Sequence, residues 1–105
     1  MPTEPFEIIY PPWLKSHFQM FATRVQREIR EAIEQHLRFA PLVSTRNRKP
    51  LREPIRSAEW ELRCGPDNSI RVLYNCDTET REVNVVAVGE KRNNQLWIQG
   101  EQVVP

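Results

Sequence analysis

The chain has 105 residues, of which 39% are hydrophobic and 28% are charged, and its formal net charge is +1. This length and composition predict a single globular domain over residues 1–105, and they exclude a chain whose overall charge attracts nucleic acid. The apolar runs are far shorter than the roughly 20 residues of a membrane helix, and the N-terminus lacks the regions of a signal peptide, so we expect a cytoplasmic protein.

The first predicted elements are a strand and two helices. Residues 6–10 form an apolar run that two prolines end, because proline cannot donate to a strand ladder. Residues 13–20 have apolar side chains at helical spacing. Thr23 begins a second helix, and with Gln26 it predicts a capping box. Apolar side chains then recur every four residues and predict a helix face that packs on a sheet: Val25, Ile29, Ile33 and Leu37.

Residues 42–57 are predicted to be a long basic connection without regular structure. Residues 46–56 carry five basic side chains and one acidic side chain, a local charge of +4, whereas residues 57–105 sum to −3. A local basic strip is an electrostatic footprint for phosphate, with Arg48, Lys49 and Arg52 as candidate RNA contacts. A solvated loop explains the same charge, so both interpretations stay open.

Three successive strands follow, over residues 60–64, 70–76 and 83–88. The first two alternate apolar and polar side chains, as half-buried strands do, and the third is almost wholly apolar, as a central strand is. Residues 65–68 (Gly-Pro-Asp-Asn) have the composition of a turn. The resulting antiparallel meander is the part of the chain on which the helices must pack.

The two cysteines lie at opposite ends of this predicted hairpin. Cys64 is beside the turn and Cys76 is at the far end of the next strand, so their Cα atoms are expected to lie beyond the ~7 Å limit for a disulfide. We therefore interpret both as reduced thiols. Their spacing from His17 and His36 fits no metal-ligand pattern, and we expect neither a metal nor a cofactor.

Three motifs carry a family resemblance: Trp60-Glu-Leu-Arg63, Ile70-Arg-Val-Leu-Tyr74, and Val86-Ala-Val-Gly-Glu-Lys-Arg92 followed by Trp97. With the order of the elements, they make residues 6–100 similar to the RelE/ParE superfamily of toxins from bacterial type II toxin–antitoxin modules. The resemblance implies an α+β fold, in which an N-terminal strand and two helices pack on an antiparallel sheet of about four strands. It also implies a cognate antitoxin as a partner.

RelE-like members of this superfamily cut mRNA on the ribosome, whereas ParE-like members inhibit DNA gyrase without cutting nucleic acid. The resemblance implies a ribosome-dependent mRNA endoribonuclease that blocks translation through a basic site on the sheet. Four residues match the positions of the RelE site and are the candidate catalytic residues: Arg71, Lys91, Arg63 and Trp97. Arg92 joins Arg48, Lys49 and Arg52 as a candidate RNA contact.

Several features keep other interpretations open. Glu61 stands where RelE-like chains carry another basic residue, and a carboxylate repels phosphate. Arg71 is able to pair with Glu61 or Glu59 across the hairpin, and Trp97 is able to serve as a core aromatic. The alternatives are therefore a ParE-like gyrase inhibitor and a catalytically degenerate relative that only binds its antitoxin.

Overall fold

The computed structural model describes residues 4–104, which form an α+β fold. Strand β1 and two helices come first, and six strands follow them. The bounds are β1 Glu7–Ile9, α1 Leu14–Phe18, α2 Thr23–Leu37, β2 Arg48–Ile55, β3 Ala58–Cys64, β4 Ile70–Asp77, β5 Glu82–Arg92, β6 Gln95–Ile98 and β7 Glu101–Val103, with a short 3-10 turn at Pro66–Asn68.

The strands form one sheet in the order β2-β3-β4-β5-β6-β7, with every neighbouring pair antiparallel. β1 pairs with β5 in parallel, from Glu7 opposite Glu82 to Ile9 opposite Asn84. β4 and β5 slip by one residue, because Tyr74 lies opposite Val85 while Leu73 lies opposite Ala87. Such a slip is a β-bulge, which bends the strand and increases its twist.

Helix α1 covers a stretch of β5 that lies between two partner strands. β1 pairs with β5 as far as Asn84, and β6 begins to pair at Glu90, on the edge away from β4. In that interval the Trp13 indole N–H donates to the Val86 carbonyl at 2.9 Å, and the Val88 N–H donates to Nδ1 of His17 at 3.1 Å. Side chains of a helix thus satisfy backbone groups that a strand would otherwise pair.

The two faces of the sheet bury different cores. On the covered face, which meets the helices, Leu62, Val72 and Tyr74 pack with Ile29 and Ile33 of α2. On the other face a smaller cluster consists of Ala58, Leu73, Ala87 and Ile98, with partly buried side chains of β2, β6 and β7 against it.

This second cluster shows that the sheet curls. Leu51 and Ile55 of β2 pack on the same cluster as Leu96 of β6 and Val103 of β7, although these strands lie toward opposite edges of the sheet. We call this inner surface the concave face. Its apolar residues occupy part of the surface, and the charged side chains of β3 and β4 lie beside them.

The structure confirms the α+β class, the two helices and the antiparallel meander, and it corrects the number of strands. The prediction of about four strands was too low, because β2, β6 and β7 also belong to the sheet. The prediction of a loop over residues 42–57 was wrong for Arg48–Ile55, which form the edge strand β2. Proline is tolerated there because an edge strand leaves some N–H groups without a partner.

The predicted capping box is also absent. α2 begins at Thr23 as predicted, but its N-cap is Ala22, which makes no side-chain capping bond. Gln26 instead donates through Nε2 to the Phe21 carbonyl at 2.8 Å.

Both cysteines are free, as predicted, and burial raises the pKa of the Cys64 thiol to about 12, which keeps it protonated. Among residues 4–104, no helix has the length and apolar character needed to cross a membrane.

Candidate functional site

Strand register places four of the predicted site residues on the concave face: Arg63, Arg71, Lys49 and, as described below, Lys91. Arg63 of β3 lies opposite Arg71 of β4, and Arg71 lies opposite Gly89 of β5. Lys49 of β2 lies opposite Glu61, the residue two before Arg63. Residues directly opposite each other share a face, and side chains alternate along a strand, so all of these lie on the face that carries Leu73.

Glu61 links the two arginines. Its Oε2 lies 3.1 Å from Nε of Arg63 and 3.6 Å from Nε of Arg71. The Glu61 side chain is 14% exposed and that of Arg71 is 12% exposed, whereas that of Arg63 is 38% exposed. Both contacts use Oε2, so neither guanidinium holds Oε1. The prediction that Arg71 pairs across the hairpin is thereby confirmed for Glu61.

The turn before β4 holds the Arg71 guanidinium. Its Nη1 donates to the Asn68 carbonyl and, at 3.3 Å, to the Ile70 carbonyl. The turn reaches this position because Asp67 and Asn68 adopt positive φ, which Asp and Asn tolerate better than most residues. Burial lowers the pKa of Arg71 and Glu61 opposes that shift, but an arginine still stays charged.

Lys91 adds an exposed cation beside this group. It lies two residues beyond Gly89, opposite Leu96 of β6, whose side chain packs on the concave cluster. Its backbone N–H donates to the Ser69 carbonyl at 2.8 Å, which ties it to the start of β4. Arg71 and Lys91 therefore project from the same face, as the sequence interpretation required.

Gly89, opposite Arg71, allows β5 and β6 to approach closely. A Cβ atom there would lie 2.5 Å from the Trp97 carbonyl oxygen and 2.8 Å from Cγ1 of Ile98. A larger residue would push β6 away from the site.

Trp97 and Arg92 lie on the opposite face. Trp97 pairs with Glu90, one register step from Lys91, and lines a small cavity with Met20 and Phe21 beside α1. The Arg92 guanidinium lies 5.5 Å from the centre of the Trp97 ring and bonds to Glu90 at 2.8 Å. The structure thus does not bring Trp97 together with Arg71 and Lys91.

Arg48 and Arg52 also stand apart from the cluster. Arg48 donates through Nη1 to the His36 carbonyl at 2.6 Å and through Nε to the Val43 carbonyl at 3.0 Å. It therefore satisfies one carbonyl at the end of α2, where cations also suit the helix dipole, and one in the loop that follows the helix. Arg52 is an exposed residue of β2.

The residue that sequence reasoning misjudged is Glu61. It was interpreted as a charge that repels phosphate and as one of two carboxylates able to pair with Arg71, whereas the structure places it between Arg63 and Arg71, at the centre of the cationic group. The available signal was its spacing: residues two apart on a strand share a face, so Glu61 and Arg63 had to be neighbours.

Comparison with known proteins gives one strong structural likeness. No family model matches the chain, and no curated protein matches its sequence. A chain of the toxin–antitoxin complex RelBE2 from Mycobacterium tuberculosis superposes with a TM-score of 0.61 at 21% sequence identity, covering 82% of this chain and 98% of that chain. The fold is RelE-like. The resemblance identified from the motifs is thus confirmed for the fold.

Proposed function

We propose that this protein is the toxin of a type II toxin–antitoxin module and that it cleaves RNA on the concave face. The observation that carries the nuclease proposal is the Arg63–Glu61–Arg71 group with Lys49 and Lys91 on the same face. The likeness to a chain of a toxin–antitoxin complex supports a cognate antitoxin as its partner.

The chemical step can be written with these side chains, the RNA and water. The 2′-oxygen attacks the adjacent phosphorus while its proton passes to Oε1 of Glu61, and the bond from phosphorus to the 5′-oxygen breaks. The products are a 2′,3′-cyclic phosphate and a free 5′-hydroxyl, whose proton comes from Lys91 or water. Arg63 and Arg71 would neutralise the pentavalent phosphorane with rigid sets of donors.

A second candidate function is an antitoxin-binding relative without nuclease activity. It is favoured by the internal contacts of Arg71, whose guanidinium already faces Glu61 and the Asn68 carbonyl. For phosphate to bind, these contacts must be exchanged for contacts with the ligand. A ParE-like gyrase inhibitor is a third possibility that the same experiment tests.

The decisive experiment is to induce the protein in bacteria and to map the 5′ ends of the transcripts. We expect growth arrest with new cuts within reading frames. Arg71→Ala should lower the cleavage rate about 10²–10³-fold, the usual effect of losing one transition-state donor. Arg27→Ala is the matched control, because it removes an equal charge from the exposed side of α2, and it should retain activity.

Other outcomes would reject the nuclease proposal. Growth arrest with DNA-damage signalling and intact transcripts would identify a gyrase inhibitor. A harmless protein that forms a stable complex with a small co-encoded partner would identify a binding-only relative. Equal activity of Arg71→Ala and the wild type would show that the cluster is structural.

A further inference from the structure

A recess on the concave face lies next to Lys91 and has a volume of about 220 Å³. Its floor is apolar and consists of Ile55, Leu96 and Val103, which come from the end of β2 and from the β6–β7 hairpin. All three are half-buried, so the recess is open to solvent above a packed base. The curl of the sheet creates it by bringing β2 toward β6 and β7.

The rim of the recess is polar. Asn94, in the turn between β5 and β6, lies on it and is exposed. Gln95 and Gln102 also line the recess, but they pair with Arg92 and Trp97, so their side chains belong to the opposite face. A primary amide offers both donors and acceptors in one plane, which matches the edge of a nucleobase. Lys91, also on the rim, adds a positive charge of the kind that binds phosphate.

The recess is continuous with the proposed phosphate-binding group. Lys91 belongs to both, and it lies two residues along β5 from Gly89, the partner of Arg71. Two residues of a strand span about 7 Å. A nucleotide whose phosphate contacts Arg71 and Lys91 therefore has the recess beside it.

We propose that this recess binds one nucleobase of the RNA and thereby sets the base preference of the cut, an assignment that rests on the proposed function. Single-stranded RNA is read by splaying its bases into such sites, where apolar side chains cover the ring and polar groups read its edge. The volume is below the 300–1,000 Å³ of pockets for drug-sized ligands, and this suits one ring system rather than a whole nucleotide.

The position of Trp97 supports this assignment. The resemblance made Trp97 a candidate residue of the site, but Trp97 lines a cavity with Met20 on the covered face. A base held near Arg71 must therefore rest on other side chains. Leu96 of β6, which lies beside β5, and Val103 of β7, the next strand, provide an apolar surface on the correct face.

The test is an NMR titration of protein labelled at the backbone amides and at the Ile, Leu and Val methyl groups. The probes are the four 3′-nucleoside monophosphates, with inorganic phosphate as the base-free control. We expect phosphate to shift signals near Arg63, Arg71 and Lys91 only. The nucleotides should also shift the methyl groups of Ile55, Leu96 and Val103, with affinities that differ between bases by at least about fivefold.

A matched pair of variants assigns the preference to the rim. Asn94→Gly removes the exposed amide of the recess and keeps a residue that tolerates the positive φ of that position, and Asn93→Gly does the same at the neighbouring turn position, which does not line the recess. The first should reduce the differences between bases to about twofold or less while the affinity for phosphate stays the same. The second should change neither quantity.

Failure of this inference differs from failure of the proposed function. If the nucleotides and phosphate shift the same signals and the recess methyl groups do not respond, the base site is wrong although the phosphate site stands. If the recess methyl signals depend on protein concentration without nucleotide, a second copy occupies it and the inference is again wrong. A base-dependent response in a protein that cuts no transcripts would support the recess and reject the nuclease.

Discussion

The polar side chains of the covered face and those of the concave face differ in the partners that they bond to. On the covered face three polar side chains have structural partners: Arg48 bonds to the end of α2, His17 accepts from Val88, and the Tyr74 hydroxyl donates to the Pro41 carbonyl at 2.7 Å. On the concave face Arg63 and Arg71 share a carboxylate, and Arg63 and Lys91 remain open to solvent. A charged side chain that is held in place near solvent is available to a ligand, whereas one that already bonds to groups within the fold is not.

The largest expected effect comes from the centre of the concave group. Glu61→Gln should lower RNA cleavage about 10²–10⁴-fold, because it removes the proposed proton acceptor and keeps the shape of the side chain. RNA binding should become tighter, since a negative charge is lost. Cleavage of an mRNA on ribosomes and binding of a labelled oligonucleotide are measured in parallel.

Glu59→Gln is the control for this change, because Glu59 is exposed and the loss of charge is the same. If Glu61→Gln cleaves as fast as the wild type or faster, Glu61 only repels phosphate, as the sequence interpretation held.

The next prediction distinguishes the roles of two adjacent cationic residues of β2, Arg48 and Lys49. Arg48→Met should reduce the free energy of unfolding by about 1.5–3 kcal/mol, because the carbonyls of His36 and Val43 lose a charged donor. Lys49→Met should change stability by no more than about 0.5 kcal/mol but reduce the salt dependence of RNA binding by one phosphate contact. Urea denaturation and binding at several salt concentrations measure the two quantities, and reversed results would show that the faces are wrongly assigned.

The smallest expected effect is a pH dependence of the free energy of unfolding, caused by a histidine of the covered face. Burial, and secondarily the Arg56 charge, lowers the pKa of His17, whose Nδ1 must stay unprotonated to accept from Val88. Below the unfolded-state pKa of about 6.5, His17 is protonated in the unfolded chain but not in the folded chain. The free energy of unfolding therefore decreases as the pH is lowered from about 6.5 to the lowered pKa of the folded state. One histidine contributes at most about 1.4 kcal/mol per pH unit.

Urea denaturation between about pH 7.5 and 5 measures this slope, and His17→Gln should flatten it. Burial and Arg48 also lower the pKa of His36, so His36→Gln is the comparison that separates the two histidines. An unchanged slope in His17→Gln would mean that His17 does not couple protonation to folding.

Much of the fold could be predicted because its elements have clear periodicity, and the missed strands show where that signal ends. β2 contains Pro50 and Pro54 and four charged residues among its eight, and its two apolar side chains do not alternate with polar ones. β6 and β7 are short, with four and three residues. The turns beside these strands carried a usable signal in two of three cases.

Two-residue hairpin turns of type I′ require positive φ at both positions. Asn93 and Asn94 have it, as do Gln99 and Gly100, and Asn and Gly are the residues that favour it. The β2–β3 turn uses Arg56 and Ser57, also at positive φ, and no sequence rule selects that pair. The β2–β3 hairpin could therefore not be predicted from the sequence of its turn.

The site was partly predictable for a similar reason. Alternation along β4 fixes Arg71 on the face opposite Val72, so its exposure to the concave side followed from the sequence. Trp97 lies between Leu96 and Ile98, all three apolar, and a strand register shifted by one residue would exchange their faces. The register of β6 is set by its pairing with β5, which a single strand does not reveal.

The cover that α1 lays over β5 has a consequence for how the molecule behaves in a crowded solution. An unpaired stretch of apolar strand is a template on which another chain can add its own backbone, the first step toward fibrous aggregates. The Trp13 indole and the His17 imidazole occupy two of the backbone groups in that stretch. The N-cap residue and one residue of a five-residue helix thus occupy backbone groups on which another chain would otherwise pair.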